Sequence, residues 1–392
     1  MGSDFKNKPA KRSDNNNTPH YLVRTKKTVI HGWHFSKSSG RRECSSERIL
    51  VNPYNGCTVN CPSCYTRAYG GYFDRWNREG AVAVFEDIDQ KLVRELSKLR
   101  YAACGYFSPV TDPFQHPLES TYRLSEKCMN AFLELDLPVE FVTKNGPFVP
   151  ERLLRRMSEH PYNHCFAQYT ILSTDKEKQK WLAPGGATAQ EQINAARRSA
   201  DLGLYTVVRI DPIIPGINDC ISELSTLVTE AKNAGSKHII ASVGDLSYKT
   251  KRQILASIKP ISEEAYALSM RIYRERQGSS CHATLEFRLS VFKLLKDICT
   301  KHGLTFALCM EFSKSSYGYK GLNDQFMTSI ACEGKEVPMY YRRCLSDNFK
   351  PIEQCKGSCL SCAERNPIPV CRQRIFPMAS ALKYSDYLRL TP

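Results

Sequence analysis

A chain of 392 residues, 42% of them hydrophobic, is long enough for two domains, or for one barrel with additions, around a substantial core. Its 55 basic and 40 acidic residues give a net charge of +15, which favours polyanionic partners. No apolar run reaches the roughly 18 residues of a membrane span, and no signal peptide is visible. We therefore expect a cytoplasmic protein whose 17 cysteines bind metal rather than form disulfides.

The first 45 residues are predicted to form a disordered basic tail. They are rich in Asn, Ser, Lys and Gly and offer little apolar surface to bury. Seven of its basic residues lie in the first 27 positions, and two more follow at 41 and 42: Lys6, Lys8, Lys11, Arg12, Arg24, Lys26, Lys27, Arg41 and Arg42. They either attract a polyanion or form a solvated tail without a partner.

Residues 46–310 alternate short apolar runs with helical patterns. Strands are predicted at 49–51, 103–107, 138–144, 165–172, 205–210, 238–243 and 305–309. Helices are predicted at 85–100, 122–135, 150–160, 188–202, 221–233, 263–277 and 290–302. This alternation predicts an α/β fold with parallel strands, a partial (β/α)6 TIM barrel whose chemistry lies at the carboxyl ends of the strands.

Three cysteines, Cys57, Cys61 and Cys64, follow the first predicted strand at the spacing C-x3-C-x2-C. Thiolates are the ligands of iron–sulfur clusters, so this loop predicts a [4Fe–4S] cluster with three protein ligands. The fourth iron would stay open to a substrate or cofactor. The alternatives are a zinc site, which usually has four closed ligands, or unlinked buried thiols.

The cysteine loop resembles the signature of the radical S-adenosylmethionine (SAM) superfamily, and four further segments resemble its spore photoproduct lyase-like subfamily. The segments are NPYNGC at 52–57, TDPFQ at 111–115 with Glu119 and YRL at 122–124, VTKN at 142–145, and PIIPGIND at 212–219. The likeness spans about residues 48–250, in order. It implies a reductive cleavage of SAM to a 5′-deoxyadenosyl radical and an electron donor such as flavodoxin or ferredoxin.

The same resemblance implies residues that contact SAM. Tyr65 resembles the aromatic residue that packs near the adenine, and Lys144 at a strand end is expected to pair with the methionine carboxylate. Thr111 and Asp112 take the place of the strand that binds the amino group, although Asp112 could instead be a turn carboxylate. Thr143 belongs to the same strand end as Lys144.

Three more SAM contacts are implied further along the chain. Ser173 and Arg209 resemble ribose and carboxylate contacts, and Gly216 would let the backbone approach the adenine. The chain departs from the lyase at one point, since no cysteine hydrogen donor stands just before Thr111. Cys104 lies upstream and is the candidate donor, with a small buried strand thiol as the alternative.

Residues 311–392 are predicted to form a cysteine-rich C-terminal module. Six cysteines fall in it, namely Cys332, Cys344, Cys355, Cys359, Cys362 and Cys371. Cys355, Cys359 and Cys362 repeat the spacing C-x3-C-x2-C. With Cys344 or Cys371 as a fourth ligand, this run predicts an auxiliary [4Fe–4S] cluster, and structural zinc is the alternative.

Three functions remain open from the sequence. The first is a radical SAM enzyme that abstracts hydrogen from a nucleobase, nucleoside or nucleic acid, for lyase or base-modification chemistry. The second is a radical SAM enzyme that modifies a peptide or small molecule and uses the auxiliary cluster. The third is a nucleic-acid-binding protein with a structural cluster, which would leave the SAM contacts idle.

Overall fold

The computed structural model describes residues 11–13, 18–32, 47–316, 318–359, 361–362, 366–374 and 382–390. Its centre is a sheet of seven parallel strands, which we number β1 (Arg48–Val51), β2 (Cys104–Phe107), β3 (Val139–Thr143), β4 (Phe166–Thr170), β5 (Tyr205–Ile213), β6 (His238–Val243) and β7 (Thr305–Leu308). Each strand pairs with the next in the chain. This order without a reversal is typical of barrels, whereas doubly wound sheets reverse direction.

The predicted parallel α/β fold is confirmed, with β7 following the six predicted strand–helix units. Helices pack on the sheet, and every residue of β4 and β6 is buried. The helices before β7 are Tyr72–Glu79, Ile88–Leu96, Leu118–Tyr122, Leu124–Leu133, Glu151–Ser158, Lys176–Leu182, Ala189–Asp201, Ile221–Asn233, Lys251–Ile258, Glu263–Ile272 and Leu285–Lys301. Across the described ranges, no helix is long and apolar enough to cross a membrane.

Local signals explain where these helices begin and end. Thr188 caps the helix Ala189–Asp201, and Glu191 completes a capping box by accepting the Thr188 amide at 2.8 Å. That helix stops before Gly203, whose φ of 84° is the left-handed conformation of a helix end. The prediction of a helix over 263–277 is wrong at its end. Tyr273–Gln277 is a strand paired with Ser280–Ala283, and a third strand, Leu246–Ser247, completes this small sheet.

Residues 18–32 are part of the folded body, so the prediction of a disordered tail over 1–45 is wrong for this stretch. The strand His20–Val23 pairs with the parallel strand Val82–Phe85, and Ile30 is fully buried. The Glu95 carboxylate accepts the amides of Val29 and Ile30, each at 2.9 Å. These hydrogen bonds hold the segment in place. Its polar composition did not predict that it would be buried against Glu95. Residues 1–10, 14–17 and 33–45 of the predicted tail lie outside the described residues.

The chain after β7 packs back onto the barrel. It forms a hairpin of Phe312–Ser315 with Gly318–Gly321, and Tyr340–Tyr341 pairs with both Tyr101–Ala102 and Lys350–Pro351. Two contacts tie it to the amino ends of the strands, since the Tyr205 hydroxyl donates to the Gly334 carbonyl at 3.0 Å and Arg48 pairs with Glu333. The C-terminal segment therefore covers the end of the barrel opposite to the cysteine loop.

A row of buried polar side chains crosses the barrel interior between the two ends. Arg48 of β1 pairs with Glu140 of β3, whose second carboxylate oxygen accepts from Gln168 at 2.9 Å. Gln168 accepts from Arg209 at 3.0 Å, and Arg209 pairs with Asp211 at 2.7 Å. Because each buried charge has a partner, the row is satisfied, and it orients Arg209 and Asp211 at the carboxyl end of β5.

Candidate functional site at the carboxyl ends of the strands

The loop after β1 holds Cys57, Cys61 and Cys64 in one tight turn. The Cys64 amide donates to the Cys61 carbonyl at 3.3 Å, and all three thiols are half-buried. Burial raises the pKa of Cys61 to about 11 although Lys144 lowers it, and burial with the nearby Asp112 raises the pKa of Cys57. These raised pKa values favour the protonated thiols. A bound metal would reverse this preference, because a coordinating thiol is deprotonated.

Two side chains that sequence reasoning did not select hold this loop. Gln115 accepts the Thr58 amide at 3.0 Å and donates to the Gly56 carbonyl at 3.4 Å. The Arg67 guanidinium donates to the Cys61 carbonyl at 3.0 Å and lies 4.5 Å from the Trp76 ring centroid. The loop is thus fixed by side chains from two neighbouring segments, independently of any ligand of its thiols.

A glycine pair presses against the same loop from the connection after β4. The Gly185 amide donates to the Val59 carbonyl at 2.9 Å. A Cβ at Gly185 would lie only 2.1 Å from the Thr58 carbonyl oxygen, so this approach requires glycine. The sequence Pro184-Gly185-Gly186 signals a tight turn, but its contact with the cysteine loop becomes visible only in the fold.

Asp112 and Lys144 face the cysteine loop from β2 and β3. The Asp112 carboxylate accepts from the Thr143 hydroxyl at 2.8 Å, the Lys144 amide at 2.6 Å and the Phe114 amide at 2.9 Å. Burial raises the pKa of Asp112, and these three bonds oppose the rise. The Lys144 ammonium acts electrostatically on both Cys61 and Asp211, so it lies between the thiols and the end of β5.

Four buried polar atoms around the loop have no hydrogen-bond partner in the described structure. They are Thr58 Oγ1, Ser108 Oγ, Thr111 Oγ1 and Asn145 Nδ2. Buried polar groups are satisfied in more than about 90% of cases, so a cluster of orphaned atoms indicates a place for a polar ligand. With three thiols and a lysine beside them, these atoms fit an iron–sulfur cluster together with SAM.

Three more predicted SAM contacts, Ser173, Arg209 and Gly216, lie at the same end of the sheet, and each already contacts another part of the protein. Ser173 donates to Glu223, which also accepts Lys178 Nζ at 2.8 Å. Gly216 has a φ of 76°, and a Cβ there would lie 2.9 Å from Ala265, so helix packing alone requires glycine. Their contacts with SAM stay predictions.

Arg209 and Asp211 form the charged part of the β5 end. Burial alone would raise the pKa of Asp211, but Arg209 at 2.7 Å and a hydrogen bond from Ser242 lower it, so the carboxylate is charged at neutral pH. The Arg209 guanidinium donates hydrogen bonds to both Asp211 and Gln168. The charge of Lys144 also lowers the pKa of Asp211, so Asp211 is part of the site.

Cys104 does not fit its predicted role as hydrogen donor. It is the first residue of β2, at the amino end of the strand, whereas the cysteine loop follows the carboxyl end of β1. The thiol is fully buried in a small cluster with Phe166, Val207 and Ile240. Its position is that of the alternative, a small buried strand thiol, at the amino end where the predicted strand over 103–107 also places it.

The C-terminal cysteines separate into three groups. Cys355, Cys362 and Cys371 act electrostatically on one another, with Cys359 buried between the first two in the chain. Cys344 is exposed, and Cys332 is buried at the barrel end with its carbonyl bonded to His238. No three His, Cys, Asp or Glu side chains among the residues with assigned positions converge on a single metal ion, in this module or in the loop at Cys57.

A surface of aromatic and basic side chains, which we call the tyrosine rim, adjoins the cysteine loop. It comprises Tyr65, Tyr69, Tyr248, Lys249 and Arg276. The rings of Tyr65 and Tyr69 lie 5.8 Å apart, and Lys249 Nζ donates to the Ala68 carbonyl at 3.3 Å. The Arg276 guanidinium lies 5.7 Å from the Tyr248 ring centroid. Tyr65, Tyr69 and Tyr248 are 44%, 44% and 48% exposed, so their rings are accessible beside the thiols.

Comparison with known proteins places this geometry among related folds. No protein-family model matches the chain. Over 388 residues it is 27% identical to a radical SAM Nalpha-GlyT isomerase of Pseudomonas phage M6, an alignment that covers 95% of this chain and 78% of that protein.

Solved structures of spore photoproduct lyase share the fold. One holds bound AdoMet and dinucleoside spore photoproduct, with a TM-score of 0.51 and 14% identity. A variant of the same lyase has a TM-score of 0.52, also at 14% identity. Each alignment covers 74% of this chain and 81% of the lyase.

Proposed function

Because this chain is a radical SAM enzyme with the fold of spore photoproduct lyase, we propose that it abstracts a hydrogen atom from a nucleobase carried by a nucleic acid. The observation that carries the substrate class is the tyrosine rim beside the cysteine loop. Exposed aromatic rings next to basic side chains bind bases and phosphates together, and few other ligands need both.

The residues that would hold the cofactors are already grouped. Cys57, Cys61 and Cys64 would bind three irons of a [4Fe–4S] cluster, and Lys144 would pair with the SAM carboxylate. When bound, cluster and SAM supply a 5′-deoxyadenosyl radical that takes hydrogen from the substrate. The orphaned atoms Thr111 Oγ1 and Asn145 Nδ2 supply further hydrogen-bonding positions for SAM.

The rim supports a polynucleotide through two kinds of contact. Stacking on an exposed tyrosine contributes about 1–3 kcal/mol per base and tolerates any base. Arg276 and Lys249 are placed to contact phosphates on either side of such a base, and the neighbouring carboxylate of Glu275 is already taken by Arg288 at 3.0 Å. The net charge of +15 adds long-range attraction.

The relatives' names are in keeping with this substrate class. The lyase of the same fold holds a dinucleoside photoproduct, and the phage relative is named an isomerase of Nalpha-GlyT. The nucleobase that we propose as the substrate of this chain belongs to the same class of ligand as the dinucleoside in the lyase structure. We propose lyase, isomerase or base-modification chemistry at this site.

The test is anaerobic incubation of the reconstituted protein with SAM, a reductant and single-stranded oligonucleotides of mixed sequence. Mass spectrometry of the digested nucleosides should show a SAM-dependent mass change or bond rearrangement in one nucleoside, with formation of 5′-deoxyadenosine. SAM cleavage without any changed nucleoside would reject the nucleobase substrate, and a changed peptide would favour the peptide-modifying alternative. Absence of SAM binding by calorimetry would favour a structural cluster.

The rim is tested separately by binding. Replacing Tyr248 and Arg276 together with Ala should weaken oligonucleotide binding by about 10-fold or more, from the loss of one stacked base and one phosphate contact. It should also flatten the dependence of affinity on salt. Tyr341→Ala is the matched control, because this tyrosine is 39% exposed but lies in the C-terminal module. Equal losses in both variants would contradict the assignment of the rim.

A further inference from the structure

The structure assigns a second, closed four-thiolate metal site to Cys355, Cys359, Cys362 and Cys371. The first three share the spacing C-x3-C-x2-C, and Cys371 follows eight residues after Cys362. The Cys362 amide donates to the Ser358 carbonyl at 2.9 Å, and the Val370 amide, directly before Cys371, donates to Cys362 Sγ at 3.5 Å, so these segments of the chain meet at Cys362. Cys359 is 6% exposed and lies in the same turn of chain as Cys362.

Hydrogen bonds aimed at the sulfurs are the independent observation that points to a metal. The amides of Met339 and Gly357 both donate to Cys355 Sγ at 3.4 Å. The Val370 amide and the Asn366 side-chain amide donate to Cys362 Sγ at 3.5 and 3.6 Å. A neutral thiol is a weak acceptor, whereas a metal-bound thiolate is stabilised by such donors, which also tune its metal.

Cys371, rather than Cys344, closes the site. Cys344 is exposed, and its amide donates to the Asp347 carboxylate at 3.0 Å in a local turn. Cys371 is instead half-buried and directly follows Val370, whose amide donates to Cys362 Sγ at 3.5 Å. Four cysteines leave no open coordination position, which distinguishes this site from the three-cysteine loop at Cys57.

The location of the site indicates its task. The Gly357 carbonyl accepts the Glu47 amide at 3.1 Å, directly before β1 begins. The loop with Cys57 follows the other end of β1, and the four residues of that strand alone span about 13 Å at roughly 3.3 Å each. The second site therefore lies away from the substrate and fastens the C-terminal segment to the amino end of the barrel.

A [4Fe–4S] cluster is the centre that we assign to this site. Each thiolate of a cluster binds its own iron, so four cysteines surround a cube and need not converge on one point, as they must around zinc at about 2.3 Å. Zinc in the same four thiolates would still confirm the site and correct only its metal.

The test separates the two cysteine sets by metal content. The variant C57A/C61A/C64A, purified and reconstituted anaerobically, should keep about four irons and four sulfides per chain with a cluster absorption band, or else about one zinc. A chain with neither metal, while its circular dichroism matches that of the wild type, would overturn the inference. This outcome does not depend on SAM or on the substrate, so it leaves the proposed function untouched.

Single substitutions locate the ligands. In the same triple-variant background, Cys359→Ser and Cys371→Ser should each lose most of the remaining metal, whereas Cys344→Ser should keep it. In the otherwise wild-type protein, Cys371→Ser should lower the melting temperature but retain the affinity for SAM. Metal loss in Cys344→Ser together with retention in Cys371→Ser would overturn the choice of the fourth ligand.

Discussion

Two runs of the same spacing, C-x3-C-x2-C, lie at opposite ends of this barrel and have different surroundings. The run at Cys57 follows the carboxyl end of β1 and has a lysine, a buried carboxylate and orphaned polar atoms around it. The run at Cys355 lies at the amino end, where amides point at its sulfurs and a fourth cysteine is near. Spacing alone predicts that thiols gather, whereas the surroundings decide whether a ligand can join them.

The electrostatic environment makes the same distinction. Burial raises the pKa of Cys61, and the charges of Lys144 and Arg67 oppose that rise, so positive charge lies within electrostatic reach of the first run. In the second run, Lys356 is already paired with Glu336 at 3.4 Å. A positive site with unsatisfied polar atoms is suited to bind a carboxylate ligand such as SAM, and a paired, closed site is suited to hold structure.

The largest expected effect comes from removing the first run alone. C57A/C61A/C64A should abolish 5′-deoxyadenosine formation, because no thiolate remains to hold the catalytic cluster. Total iron should fall by about half if the second run keeps its own cluster. Product assays and iron analysis on one preparation check both statements.

The controls for this variant are thiols that lie in neither run. Cys128 and Cys299 are fully buried within helices, so Cys128→Ala and Cys299→Ala should preserve both activity and iron content. Undiminished 5′-deoxyadenosine formation in the triple variant would contradict the assignment of the catalytic loop. Complete loss of iron in the triple variant would instead mean that the second run holds no cluster of its own.

A smaller effect is expected at the lysine that distinguishes the ends. Lys144→Met keeps the length of the side chain but removes its charge, and a charge-assisted hydrogen bond contributes about 1.5–3 kcal/mol. The dissociation constant for SAM should therefore rise about 10- to 150-fold in calorimetry, while the iron content stays unchanged. Lys296→Met is the control, since Lys296 Nζ bonds only a carbonyl of the C-terminal segment, that of Gln325 at 2.9 Å, among the described residues. Equal affinity of the Lys144 variant and this control would exclude Lys144 from the SAM site.

The sequence was informative wherever one local pattern determined the outcome. Apolar runs bounded by helical patterns located all seven strands, and Gly203 ended its helix as predicted. The motif residues at the strand ends came together because parallel strands bring their carboxyl ends to one edge. Asp112 and Lys144, far apart in sequence, therefore meet at 2.6 Å between carboxylate and amide.

What the sequence missed depended on long-range contacts. The burial of Ile30 requires Glu95 as a partner, and the role of Gly185 requires the Thr58 carbonyl, neither of which has a local signature. Cys104 was chosen because it lies upstream of Thr111, and only the assembled sheet shows that it lies in a buried cluster with Phe166 and Val207. Tyr273–Gln277 continued a helical pattern, and its pairing with Ser280–Ala283 overrode that preference.

The smallest expected effect concerns the amino end, where a neutral histidine anchors the C-terminal segment. His238 bonds Thr305 Oγ1 at 2.8 Å and the Cys332 carbonyl at 3.0 Å, and burial lowers its pKa to about 4. The unfolded chain, with a histidine pKa near 6.5, binds the proton more readily between pH 6.5 and 4. The free energy of unfolding should therefore fall as pH drops through this window, by at most about 1.4 kcal/mol per pH unit from this group.

Urea denaturation between pH 7 and pH 4.5 measures this dependence. His238→Gln keeps a donor and an acceptor but cannot take up the proton, so its unfolding free energy should depend less steeply on pH. Some dependence should remain, because burial also lowers the pKa of His164, which bonds the Tyr340 hydroxyl at 2.6 Å, to about 4. The exposed His116, changed to Gln, should leave the slope as in the wild type. A His238→Gln slope identical to that of the wild type would mean that His238 does not hold the amino end as a neutral histidine.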